Sequence, residues 1–153
     1  TAWTRFEESL AIAREVGDPR GVVDALGGLG NVARDRGDLG TARSLYAQVF
    51  SLAPESVTPM DLAMILEEFA LLIAREDDPR AAARTWGAAQ RLREEIGVPL
   101  APVRRPRYER SVAAARAALA DDAAFDAAWA EGRALTLEQA MELARESPNG
   151  KGE

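Results

Sequence analysis

An alanine four residues ahead of an aromatic recurs at a step of forty residues: Ala2 and Phe6, Ala42 and Tyr46, Ala82 and Trp86. Residues four apart lie one turn apart on the same face of an α-helix. A small residue there lets a second helix come close, and the aromatic one turn on fills the space towards the next helix pair. Self-similarity at a fixed step of this size is the mark of stacked supersecondary units, each burying its apolar face against a neighbour. This step constrains the architecture more than any other feature of the chain.

Helix start and stop signals divide the rest of the chain at regular intervals. Asp18-Pro19 and Asp78-Pro79 each place a capping residue before a proline in the first helical position, and Thr58-Pro59-Met60-Asp61 adds an acid in the first turn. Gly17, Gly37 and Gly97 follow apolar-periodic runs and end them. The pattern predicts helices over about 2–16, 19–36, 39–52, 59–75, 79–96, 106–119, 122–130 and 137–145. Thr136 and Gln139 stand at capping-box spacing ahead of the last one. The fourth helix is apolar on nearly every side (Leu62, Ile65, Leu66, Phe69, Leu72, Ile73), which marks it as central. Pro99, Pro102 and Pro106 make 98–106 a loop. Residues 147–153 are polar and glycine-rich and read as a flexible tail. No run alternates as a strand would, so the fold class is all-α.

Composition narrows the chemistry. The 153 residues contain no Cys and no His, which removes disulfides, Cys and His metal sites, Cys nucleophiles and His-dependent triads. Lys151 is the only Lys. The formal net charge of -6 argues against a nucleic-acid-binding face. No apolar run is long enough to cross a bilayer, and the lack of Cys suits a reducing cytoplasm, so a cytoplasmic location is expected. Adjacent carboxylates (Glu7/Glu8, Glu67/Glu68, Asp77/Asp78, Glu94/Glu95, Asp121/Asp122) would point about 100° apart on a helix. They read as solvated faces or caps rather than an acid/base pair. Gly27-Gly28-Leu29-Gly30 lies within a helix with no strand before it, so it reads as a close-packing site and not as a phosphate loop. Arg104, Arg105, Arg107 and Arg110, beside Tyr108, are expected to pair with acids of neighbouring helices. Phe125 and Trp129, one turn apart, are expected to plug the C-terminal end. No catalytic residue, cofactor site or metal site is assigned.

The middle unit reads Leu26-x-x-Leu29-Gly30-x-x-Ala33, then Gly37-Asp38, then Ala42-x-x-x-Tyr46, then Pro54. It resembles the tetratricopeptide repeat, a helix-turn-helix unit of about 34 residues. Leu29-Gly30 matches the paired Leu-Gly of that family's first helix, Gly37-Asp38 the interhelix turn, Ala42 and Tyr46 the small and aromatic positions, and Pro54 the terminal proline. Leu26 stands where the family prefers Trp, and Ala33 where it prefers Tyr. The resemblance covers about 23–56; it extends over 60–96 with Ala70 in place of the glycine, and over half a unit at 1–16. It implies a right-handed superhelix of TPR-like hairpins over 1–96, the first one truncated, with C-terminal capping helices over 97–146. Because the chain begins inside a repeat, further repeats upstream in a longer protein are expected. Trp86-Gly87-Ala88-Ala89, Ile96-Gly97, Arg107-Tyr108, Ala128-Trp129 and Leu135-Thr136-Leu137-Glu138-Gln139-Ala140 are also similar to the C-terminal region of bacterial LuxR-type and SARP-like ATPase regulators.

That resemblance implies a non-catalytic interaction or regulatory module, with a ligand- or peptide-sensing domain as the alternative. The partner would be a protein, a peptide or other domains of the same chain. The first helix of each hairpin would line a concave face. On the middle unit this face comprises Asp24, Asn31, Arg34 and Asp35. On the next it comprises Met64, Glu67, Leu71 and Arg75. Mixed charge around apolar Met64 and Leu71 suits a peptide or helix.

Overall fold

The computed structural model describes residues 1–146, with side chains as far as Ala144. The tail expected over 147–153 lies outside the described residues. Eight α-helices and no strand occur among them: α1 Ala2–Val16, α2 Pro19–Asp35, α3 Leu39–Phe50, α4 Pro59–Arg75, α5 Pro79–Ile96, α6 Arg105–Leu119, α7 Asp122–Arg133 and α8 Leu137–Glu146. Short 3-10 turns at Pro54–Ser56 and Pro102–Arg104 interrupt the two proline-containing connections. No helix among the described residues is long and apolar enough to cross a membrane.

The caps act as their side-chain chemistry dictates. Asp38, Thr58, Asp78 and Asp121 each accept from the backbone N–H three residues on. These bonds satisfy donors that a helix start leaves without an intrahelical partner. Asp18 makes no such side-chain bond. Thr136 and Gln139 form the reciprocal capping box, at 3.1 and 2.9 Å. The forty-residue step extends to the backbone: Gly37 (φ 84°) and Asp77 (φ 64°) both take the left-handed conformation between the helices of a hairpin. Glycine adopts it freely, and Asp is among the few other residues that tolerate it.

α2 with α3 and α4 with α5 form extensively packed antiparallel hairpins, and α1 packs along α2. The repeated small and aromatic positions fill the core. Ala42, Tyr46, Ala82 and Trp86 are all 0% exposed. The glycine cluster serves close packing. A Cβ on Gly28 would run into the Phe6 ring, one on Gly30 into the Tyr46 ring, and one on Gly27 into Ile65. Phe69 of α4 takes Phe50 and Tyr46 edge-on, with ring centroids at 5.4 and 6.2 Å.

α7 runs to Arg133, three residues beyond the end expected near Ala130, and Gly132 lies inside it. The glycine is kept there by tertiary contact. A Cβ on Gly132 would strike the Arg84 carbonyl oxygen of α5, and one on Gly87 would strike the Trp129 carbonyl oxygen of α7. The two backbones therefore nearly touch. Arg84–Glu131 and Arg133–Glu94 ion pairs, each 2.8 Å, flank the crossing. Phe125 is fully buried, whereas Trp129 is half-buried; it stacks on Trp86 at 6.3 Å and its indole N–H donates to Gln90. α8 returns to pack on α3 and α5. One apolar cluster runs from Val23 to Ala144, so the C-terminal helices share a core with the hairpins.

Candidate functional site

The polar residues of α2, α4 and α5 converge on the segment 98–108, which crosses in front of α4. Glu67 and Glu68, expected on a solvated face, are 4% and 6% exposed. Leaving a carboxylate buried and unpaired is costly, and each is held by arginine. Arg93 donates from Nε and Nη2 to the two oxygens of Glu67, at 2.5 and 3.0 Å. Its Nη1 reaches the carbonyl oxygens of Val98 and Pro99, at 3.1 and 3.3 Å. Glu68 pairs with Arg34 of α2 through one oxygen and with Arg104 through the other. Two adjacent acids of α4 thus tie α2, α5 and the 98–104 connection together.

Arg34 is itself 2% exposed. Its Nη1 donates to the Tyr46 hydroxyl at 3.1 Å, and that hydroxyl donates to Asn31 Oδ1 at 2.5 Å. Burial works against the Arg34 charge, but the Tyr46 oxygen and the Glu68 carboxylate outweigh it and raise its pKa. Burial likewise pushes the Tyr46 hydroxyl upward. Tyr108 is pushed up to about 12 by burial, with Glu67 adding to the effect. Both phenols are neutral across the physiological range.

Three openings border this network. A groove of about 550 Å3 lies between the C-terminal ends of α2 and α4 and the flank of α6. Arg34, Asp35, Leu71 and Arg75 line it, facing Arg107, Ser111 and Ala114. A cavity of about 210 Å3 sits under the 98–108 segment against Trp86, Leu71 and Tyr108. A cleft of about 490 Å3 adjoins it between Gln90, Arg93, Pro99 and Tyr108.

Of the residues assigned to a concave face, Arg34, Asp35, Leu71 and Arg75 therefore meet at one groove. Arg75 also donates to the Arg34 carbonyl oxygen at 2.5 Å. Asn31 and Glu67 are built into the internal network, and Arg34, though at the groove, has its guanidinium engaged there too. Asp24 and Met64 do not line the groove; both are exposed, Met64 at 40%. Asp24 has its pKa raised by partial burial and by the Asp61 carboxylate nearby.

The opposite wall of the groove comes from α6, which lies outside the forty-residue repeat and so beyond the reach of its register. Arg107 beside a run of small residues on α6 was the available signal. The basic cluster behaves as expected at Arg104, which pairs with Glu68; Arg105, Arg107 and Arg110 are exposed. Among the described residues no group of three or more acidic side chains is placed to hold a metal ion. No family model, no curated protein and no solved structure matches the chain.

Proposed function

We propose that the chain is a non-catalytic interaction module that binds a partner peptide, or a segment of a neighbouring domain, in the groove between α2, α4 and α6. One observation supports this most directly. Apolar Leu71, Ala74, Ala114 and Ala118 line the groove together with Asp35, Asp77, Arg75 and Arg107. Such a lining suits an apolar anchor flanked by charges of both signs. In this reading the hairpins stack in the TPR-like manner as a right-handed superhelix, and α6 to α8 cap it. The module would belong to a bacterial regulator of the LuxR or SARP type in the cytoplasm, and binding would bias the state of its neighbours.

The test is selection of peptides from a random display library on the intact chain, followed by amide chemical-shift mapping of the best binder. The expected result is a set of shifts confined to Leu71, Arg75, Arg107, Ser111 and Ala114. Failure to select any binder, or shifts centred on the exposed face of α1, would overturn the reading.

A further inference from the structure

Some of the charges that line the groove between α2, α4 and α6 are already matched, and others are not. Arg34 and Asp35 pair with each other at 3.1 Å, and Arg34 also holds Glu68. Arg75 donates to the Arg34 carbonyl oxygen at 2.5 Å. Arg107 and Asp77 are exposed, and among the described residues neither makes an ion pair, with the other or with a third residue. Two charges of opposite sign therefore line one groove without neutralising each other.

Helix direction sets where those two charges lie. Leu71 and Arg107 also line the cavity under the 98–108 segment, so they mark the end of the groove next to it. From there α6 lines the groove on to Ala118, about 16 Å further along the helix axis. α4 leads the same way from Leu71 to its last residue, Arg75, and Asp77 follows, roughly 9 Å on from Leu71. Ala74 and Ala114 fall between the two ends. The helix termini reinforce the charges. Arg107 lies in the first turn of α6, whose N-terminus no side chain caps, and that end of a helix carries partial positive charge. Asp77 follows the C-terminus of α4, where the partial charge is negative.

We infer that the groove sorts peptides by the order of their charges: Arg107 holds an acidic side chain, Asp77 holds a basic one, and an apolar residue lies between them. This rests on the groove being a peptide site. An extended segment advances about 3.3 Å per residue and turns every second side chain to one face. The order acid-x-apolar-x-base therefore puts all three side chains on the face that meets the protein, with the charges about 13 Å apart. That spacing falls between the lengths of the two walls. A peptide with like charges at both positions would set one of them against its own sign. The net charge of -6 attracts basic peptides in general, so the acid at Arg107 is what separates recognition by the groove from that broad pull.

Random peptides displayed on phage are selected in parallel on the wild-type chain, Arg107→Glu and Asp77→Asn, each checked for unchanged amide dispersion. Asp77→Asn removes the charge and keeps a residue type that tolerates the φ of 64°. Wild-type binders that shift the Ser111 and Ala114 amides are expected to carry the acid-x-apolar-x-base order, in either chain direction. Arg107→Glu should select a base in place of the acid, and Asp77→Asn should lose the preference for a base. Replacing the acid of a wild-type binder by Lys should weaken it about tenfold on the wild-type chain and restore it on Arg107→Glu. Groove binders with no charge order, or with the same order on all three proteins, would overturn this inference and leave the groove standing. Selection of no binder, or only of binders that shift other surfaces, would overturn the groove and the charge order together.

Discussion

Gly132→Ala places a methyl group where α5 and α7 nearly touch. The added Cβ would overlap the Arg84 carbonyl oxygen and lie 3.0 Å from the Ala88 backbone nitrogen. Both are backbone atoms of a helix, so no rotamer change relieves the overlap and the helices must part. Overpacking of this kind costs about 1–3 kcal/mol, and backbone-to-backbone obstruction belongs at the upper end. Replacing glycine inside a helix returns about 1 kcal/mol through lower backbone entropy. The net loss is then about 2 kcal/mol, or about 4–8 °C in Tm for a chain of this size. Gly40→Ala is the internal control: it also sits in a helix, but its Cβ meets nothing within 4 Å. It should gain about 0.5 kcal/mol. Thermal unfolding followed by circular dichroism reads both. A Gly132→Ala protein melting at or above the wild-type temperature would show that the α5 and α7 backbones do not make this close contact in solution.

Glu68→Gln removes the buried carboxylate shared by Arg34 and Arg104, leaving Arg34 only the exposed Asp35 carboxylate at 3.1 Å, and should cost about 3 kcal/mol by urea unfolding; a loss under about 0.5 kcal/mol would place the pair in solvent. Asp24→Asn should raise Tm at pH 7 and have no effect near pH 3. The Asp24 carboxyl is raised in the fold by partial burial and by Asp61, so ionisation above its unfolded pKa of 3.8 costs stability. A gain that persists at pH 3 would assign the effect to something other than charge. Trp129→Ala removes a half-buried ring stacked on Trp86 and a 2.8 Å bond to Gln90. It should cost about 2–3 kcal/mol in the same unfolding assay, somewhat below the value for a fully buried aromatic.

Local structure was legible in the sequence because it is set by neighbours in the chain. Asp38, Thr58, Asp78 and Asp121 cap the helices their spacing marks, and Thr136 with Gln139 closes the box the motif predicts. The forty-residue step found Ala42, Tyr46, Ala82 and Trp86, all fully buried. What escaped depends on partners far along the chain. Glu67 and Glu68 look like an ordinary charged pair until α5 brings Arg93 and the 98–104 connection brings Arg104. The helix expected to end near Ala130 runs on through Gly132, whose lack of a side chain is explained only by the Arg84 carbonyl of another helix. The groove was half legible: Arg34, Asp35, Leu71 and Arg75 follow from the repeat register. The α6 wall follows no repeat and is placed only by how residues 98–108 cross α4.

Whether the groove between α2, α4 and α6 takes a partner peptide is read from one affinity ratio. Ala114 is exposed on the α6 wall and outside the core, so Ala114→Arg obstructs the groove without disturbing the fold. A peptide selected on the wild-type chain should bind the variant at least about tenfold more weakly, a loss of about 1.4 kcal/mol, at unchanged Tm. Equal affinity for the two proteins would place the peptide outside this groove.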